Sequence, residues 1–298
     1  MKKPPILCRG DKVAIIATAK KISQAEVHVA INQLSAWGLE VILGSHIFGD
    51  EHQFAGSVAQ RCADLQWALD NPELKAIVCA RGGYGTVQLI DHIDFKHFQN
   101  NPKWLIGYSD ITVLHNHINQ NFDVQSLHAT MPINFESNTD AALESLQKAL
   151  FGDSLSYEFA RHPLNLDGAC AAQVVGGNLS IIYSLTGTRS QVDTNGKILF
   201  IEDLNEYLYH VDRMLMNLER ARILQDLAGL VVGGMTGMQD HTIPYGQNAQ
   251  EIISSIVSKY NYPVCFDFPA GHIEDNRTLI MGANAQLEVG GQCKLSFT

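Results

Sequence analysis

The chain has 298 residues, 46% of them hydrophobic and 17% charged, with a formal net charge of −10 at pH 7. This is the make-up of a globular protein with a sizeable core, arranged as one large domain or two ordinary ones. The acidic balance argues against nucleic acid or an anionic membrane surface as partner, and no stretch reaches the ~18 apolar residues of a membrane helix.

Lys12 to Thr18 (KVAIIAT) is a nearly continuous apolar run, the pattern of a strand covered on both faces. Val27, Ala30, Ile31 and Leu34 follow at helical spacing, and Gly38 supplies a stop. Val41 to Leu43 reads as a second strand. Cys62, Leu65 and Leu69 mark a helix that ends before Asn71-Pro72. A third buried strand, Lys75 to Ala80, runs into Arg81-Gly82-Gly83-Tyr84-Gly85. A fourth covers 104–108, and Asp123 to Leu127 supplies a fifth that ends at His128. Strands alternating with helices predict right-handed crossovers and a parallel sheet.

A helix from about Asp140 to Leu150 is followed by a stretch of little periodicity up to Gly168, where a domain boundary is expected. Beyond it, Gly176-Gly177-Asn178 precedes a helix at 179–185, and Lys197 to Ile201 (KILFI) is a strand ending at Glu202-Asp203. A long helical stretch at 207–224 carries Asp212 and Arg213. A strand at 227–232, a helix at 250–257 and short strands near Val264, Leu279, Leu287 and Leu295 complete the chain. The expected class is α/β: an N-terminal parallel-sheet domain, 1–152, and a smaller C-terminal α/β domain, 168–298.

Six cysteines are scattered without a C-x-x-C pair, which suits buried thiols in a reducing compartment better than a zinc or redox centre. The start, Met1-Lys2-Lys3, imitates a signal peptide, but the apolar run after it is too short for export. A cytoplasmic protein is expected. His115 and His117 are two apart on a helix and face different ways, so they make a poor metal pair. No metal and no cofactor are expected.

In an open parallel sheet, ligands bind beyond the carboxyl ends of the strands. Three features lie at such ends: the glycine-rich loop 81–85, Ser109 and His128. Ser109 sits where a buried strand turns into a helix whose Ile111, Leu114 and Ile118 share one face. That is the setting of a nucleophile elbow, with Gly107 two residues earlier, although Ile111 stands where the usual G-x-S-x-G pattern has its second glycine. A plain helix cap also fits Ser109. The glycine loop lacks the Lys-Ser/Thr of a P-loop, so its free N–H groups suit an oxyanion better than a phosphate. The N–H of Asp110 would be a second donor, and a simple tight turn is the other use of the loop.

A serine nucleophile needs a base. His272 lies in Phe268-Pro269-Ala270-Gly271-His272, a loop after a strand, where a base can be presented. A third group must orient the imidazole. Glu202 and Asp203 end a buried strand, with Glu206 close by. Alternation sends Glu202 and Asp203 to opposite faces, so only one should reach the site.

The ordered set Arg81-Gly82-Gly83-Tyr84-Gly85, Gly107-Tyr108-Ser109-Asp110, Gly176-Gly177-Asn178-Leu179, Glu202-Asp203 with Glu206, Asp212-Arg213 and Gly271-His272 resembles the LD-carboxypeptidases (muramoyl-tetrapeptide carboxypeptidases), serine peptidases related to microcin C7 immunity proteins. The resemblance implies Ser109 as nucleophile, His272 as general base, Glu202 as orienting acid, and oxyanion donors at Gly83 and Asp110. It also implies two domains that share the catalytic groups, a homodimer, and a murein tetrapeptide substrate losing its terminal D-Ala. A D-Ala carboxylate calls for a cation, and Arg81 and Arg213 are candidates, with Tyr84 beside Arg81 in the binding loop. Many relatives have His-Gly-Pro where this chain has His128-Ala129-Thr130. Two other functions share these residues: a microcin-type immunity hydrolase acting on peptidyl or aminoacyl nucleotides, and a non-catalytic ligand-binding protein.

Overall fold

A computed structural model describes all residues 1–298. Thirteen strands form two sheets. β1 (Lys12–Ile16), β2 (Glu40–Leu43), β3 (Leu74–Cys79), β4 (Trp104–Gly107) and β5 (Ser126–His128) are parallel, in the spatial order β5-β4-β3-β1-β2. The crossovers carry α1 (Gln24–Ala36), α2 (Val58–Asp70), α3 (Lys96–Asn100) and α4 (Thr112–Phe122). Val13 to Ile16 are fully buried. Burying a Val or Ile side chain contributes about 1.5–3 kcal/mol, more than the ~1 kcal/mol span of strand propensity, so burial rather than local preference fixes this strand.

The second half begins with α5 (Asp140–Phe151), β6 (Ser156–Phe159), β7 (Gly168–Asn178) and α6 (Leu179–Ser184). It continues through β8 (Ile198–Leu204), α7 (Leu208–Arg220), β9 (Gly229–Thr236), α8 (Ala249–Val257) and β10 (Val264–Cys265). Last come β11 (Leu279–Met281), β12 (Asn284–Val289) and β13 (Cys293–Phe297). Its sheet runs β10-β9-β8-β7-β12-β13-β6, parallel from β10 to β7 and antiparallel beyond. The α/β class in two parts is as expected.

Several boundaries differ from the sequence reading. Asp123 is not in a strand: it takes a left-handed conformation (φ 57°) and caps α4, so β5 starts three residues later. The helix expected over 207–224 stops at Arg220, and Arg222 is left-handed (φ 62°). β7 was hidden because its first half, Gly168 to Ala172, is built of small, partly exposed residues. β11 leaves the second half of the chain to pair antiparallel with β5. The boundary at 152–168 therefore divides the chain but not the sheets.

The strand return is matched by a shared core. One hydrophobic cluster joins Val13 and Ile15 of β1 to Phe200 of β8 and Leu287 of β12. At the junction, α4 is buried from Thr112 through Asn119. An amphipathic face explains only part of this; both histidines on the other faces are hydrogen-bonded internally, whereas the buried Asn116 amide has no partner. His115 contacts Ser126 Oγ at 2.8 Å and the Gly107 carbonyl at 2.8 Å, and His117 contacts Ser190 Oγ at 2.8 Å. The β7 end is tied to this helix by the Asn178 N–H donating to Thr112 Oγ1, 3.0 Å. No helix is long and apolar enough to cross a membrane.

Candidate active site

Ser109 lies two residues beyond the end of β4 and has φ 62°, a conformation that costs a non-glycine residue about 1–3 kcal/mol and persists only where the surroundings enforce it. The enforcement is visible. Tyr108 is extended, Ile111 N–H closes a turn on the Tyr108 carbonyl (3.2 Å), and the buried α4 follows at once. Gly107 is the partner of Ile111 in this turn: a Cβ at Gly107 would lie 2.8 Å from Ile111 Cγ1. The isoleucine that departs from the elbow pattern is thus accommodated by the glycine that keeps to it.

Across the junction, Glu202 lies near the end of β8 and has no exposed surface. The β8–β9 register shifts between Ile201 and Asp203, and the two neighbouring carboxylates part company. Glu202 Oε2 lies 2.7 Å from His272 Nδ1. Asp203 instead accepts from Asn178 Nδ2 (2.9 Å) and the N–H of Ser180 (2.8 Å) at the start of α6. Burial, with the charge of Glu202 second, raises the Asp203 pKa to about 7. His272 sits in the loop after β10. Gly271 (φ 111°) lets that loop lie on the acid, since a Cβ there would be 2.8 Å from Glu202 Oε2. The Gly271 N–H donates to Asn276 Oδ1 at 2.8 Å.

His272 Nε2 is 3.0 Å from Ser109 Oγ. Serine, imidazole and carboxylate therefore form one continuous hydrogen-bonded line, drawn from three remote parts of the chain. Burial by itself pushes the imidazole pKa down, but the charge and hydrogen bond of Glu202, with Asp203 behind, outweigh it and hold the pKa above its ordinary value. The Tyr108 ring packs 4.9 Å from the His272 ring, and its hydroxyl is 2.9 Å from Asn134 Oδ1, to which it donates. This is the geometry of a base that can take a proton from Ser109 while its other nitrogen stays fixed.

Gly82 is the loop residue pressed on the serine: a Cβ there would be 3.0 Å from Ser109 Cβ and 3.4 Å from the Asp110 nitrogen. The N–H groups of Gly82 and Gly83 make no hydrogen bond within the protein. Gly82 and Gly83 line the same cavity as Ser109.

The serine opens into a cavity of about 450 Å³ whose wall includes Lys20, Arg81, Asn134, Glu206 and His272. Arg81 lines it while donating to the Lys21 carbonyl (3.0 Å). Two expected binding residues do not line it. Tyr84 is 48% exposed and packs against Phe54. Arg213 lies over the Tyr209 ring, 5.0 Å away. The buried side of α7 is Val211, Met214, Leu215 and Leu218, so helical periodicity turns Arg213 outward. Glu206 does not compete for the imidazole of the base; it pairs with His210 at 2.6 Å. Lys20 and Asn134 escaped the sequence reading. Lys20 follows the first strand, and the rule for strand ends applied to KVAIIAT would have found it. No sequence signal marks Asn134. His128 is fully buried behind Tyr108, and the cavity wall is formed instead by the residues after it, from Met131 to Asn134.

Comparisons with known proteins identify the family. Residues 13–129 match the LD-carboxypeptidase N-terminal domain and residues 171–287 the LD-carboxypeptidase C-terminal domain. The chain is 32% identical to a Bacillus subtilis (strain 168) protein named a probable murein peptide carboxypeptidase, over 96% of this chain and 91% of that one. It superposes on the crystal structure of muramoyltetrapeptide carboxypeptidase from Oxalobacter formigenes with a TM-score of 0.87 and 27% identity, over 96% and 98% of the two chains. It shares the fold of an MccF-like protein from Bacillus anthracis strain Ames, with a TM-score of 0.87 and 22% identity over 100% and 99%. With both halves matched and a near full-length relative above 30% identity, the chain belongs to the LD-carboxypeptidase family.

Proposed function

We propose that the protein is a serine carboxypeptidase that removes the terminal D-Ala from an L,D-linked murein tetrapeptide during cell-wall recycling. The observation that carries this is the unbroken contact from Glu202 through His272 to Ser109 at a cavity whose wall carries Lys20 and Arg81. The relatives' names supply the substrate class.

His272 Nε2 takes the Ser109 proton as Oγ attacks the carbonyl carbon of the L-configured residue. The oxyanion is met by the main-chain N–H groups of Gly83 and Asp110. Collapse breaks the C–N bond, and His272 hands its proton to the departing D-Ala nitrogen. Water then attacks the acyl-enzyme, giving its proton to His272, and the shortened peptide leaves as Ser109 recovers its hydrogen. Glu202 stays ionised and stabilises the imidazolium. Arg81, with Lys20 beside it, meets the D-Ala carboxylate.

We read the chain as two units, 1–152 with the nucleophile and 168–298 with the base and its acid, working as a homodimer in the cytoplasm without nucleic acid or membrane. Mass spectrometry of murein tetrapeptide incubated with the pure protein tests the function: loss of D-Ala is expected, and an intact tetrapeptide counts against it. A second reading, a microcin-type immunity hydrolase, draws on the fold shared with the MccF-like protein. Hydrolysis of an aminoacyl-sulfamoyl adenylate in preference to tetrapeptide would favour it.

A further inference from the structure

Arg61 is a buried cation with no carboxylate in contact. It stands in the first turn of α2 and is 2% exposed. Its guanidinium lies 4.7 Å over the Phe54 ring and spends its donors on the main chain and one amide. Nη1 donates to the carbonyls of Thr18 (2.9 Å) and Gly85 (3.2 Å), Nη2 to Gln88 Oε1 (2.8 Å), and Nε to the Gly56 carbonyl (3.3 Å). Gly85 is shaped to receive it, since a Cβ there would be 2.6 Å from Nη1. Lysine has no planar fork and cannot reproduce this set.

The same loop end is held from the other side. Asp110, 1% exposed, accepts the Thr86 N–H on Oδ2 at 2.9 Å, and the Thr86 hydroxyl lies 2.9 Å from that of Thr18. Asp110 Oδ1 has no partner. A buried carboxylate half-satisfied in this way is costly and offers little as a plain structural element. The residue has another property: it follows Ser109 directly, its nitrogen lies 3.4 Å from where a Cβ on Gly82 would be, and in the mechanism proposed above its N–H is one of the two oxyanion donors. Asp110 thus carries an oxyanion donor on its main chain and a tether, through Thr86, to the loop that carries the other.

We propose that Arg61 and the Asp110 side chain are positioning residues that set the spacing of the two oxyanion donors: Arg61 clamps the Gly85 end of the loop to the end of β1, and Asp110 ties it to the nucleophile turn. Neither touches the substrate. This rests on the reading of Ser109 as nucleophile.

The test compares Arg61→Met, Arg61→Lys, Asp110→Ala, Asp110→Asn and the double Arg61→Met/Asp110→Ala. Each is measured by tetrapeptide kcat and KM, by the rate of fluorophosphonate labelling of Ser109, and by thermal unfolding. Losing one oxyanion donor costs on the order of 10²–10³ in kcat. Arg61→Met and Asp110→Ala are each expected to lose about 10²-fold in kcat and labelling rate with KM within about twofold, because a misplaced donor is nearly a lost one. Asp110→Asn keeps an acceptor for Thr86 and should recover most of the rate, and Arg61→Lys little. The double variant should be far less than additive, as expected of groups serving one geometry. Folded single variants with kcat within about threefold of wild type overturn the inference, and so do losses that vanish when activity is expressed per labelled site. If Met and Ala variants do not fold, Asp110→Asn and Arg61→Lys decide alone: equal activity in both overturns it. A wild-type protein that neither turns over tetrapeptide nor labels on Ser109 removes the nucleophile reading and this inference together, whereas an active wild type with unimpaired variants removes this inference only.

Discussion

The two sides of the site are built by different means. Ser109 is fixed locally: a strand, a left-handed residue and a helix follow one another within a few positions, and the strain at φ 62° is enforced by the buried α4. His272 and Glu202 are 70 residues apart and are fixed by tertiary contact, with Gly271 laid on the carboxylate and Asn276 holding the loop. The first arrangement stores strain in the backbone; the second holds charge in a buried pair. Damage to the first should therefore remove the nucleophile outright, while damage to the second should grade with the loss of orientation.

The largest effects probe the reacting atoms. Ser109→Ala and His272→Ala are each expected to lower kcat by on the order of 10⁶; Ser109→Ala should keep an unfolding midpoint close to wild type, whereas His272→Ala leaves the buried Glu202 without its partner and should unfold at a lower temperature. Glu202→Gln keeps the shape but offers the wrong partner to Nδ1, and should cost about 10⁴ in kcat. If it costs as little as a distant surface change, the buried pair is not what orients the base. Gly271→Ala sharpens the contrast, because it touches no reacting atom. It places a methyl 2.8 Å from Glu202 Oε2 at φ 111°, and should lower both kcat and stability, the latter by about 1–3 kcal/mol. An unchanged kcat would show that the loop, and not its packing on Glu202, holds His272. Smaller again is Arg81→Ala, expected to raise KM roughly tenfold or more with kcat little changed, since a charge-assisted hydrogen bond contributes about 1.5–3 kcal/mol; an unchanged KM removes Arg81 from carboxylate recognition.

The mildest probe is pH. The pKa of His272 is raised in the folded protein despite its burial, because Glu202 favours the protonated ring. The stability this pair gives is fully present below the ordinary imidazole pKa of ~6.5 and is lost as pH rises through the higher folded value. Activity runs the opposite way, since the base must be neutral. The acid limb of kcat/KM should therefore titrate above pH ~6.5, and Glu202→Gln should move it down. A limb at or below that value in the wild type contradicts the charge coupling.

The local side of the site was legible in sequence because its information is contiguous: KVAIIAT, the glycine loop and Gly107-Tyr108-Ser109-Asp110 each predict a strand end. Glu202 and Asp203 could not be told apart, because the choice depends on a register shift in β8 that alternation alone does not reveal. The return of β11 to the first sheet is a pairing across about 150 residues, with no local mark at Leu279 to Met281. Arg213 was misplaced for the opposite reason: its motif was visible, but the direction of its side chain is set by which face of α7 is buried. Tyr84 is similar: its motif was visible, but its ring packs on Phe54 outside the cavity. Lys20 was readable by the same rule that found Ser109.

The central claim is that Ser109, His272 and Glu202 act as one proton-passing line. Peptide mapping after treatment with a fluorophosphonate tests it most directly, comparing the wild type with His272→Ala and Glu202→Gln. A single adduct on Ser109 is expected, formed slowly in Glu202→Gln and not at all in His272→Ala. An adduct that forms equally fast in all three proteins, or on another residue while tetrapeptide turnover ceases, would contradict the account.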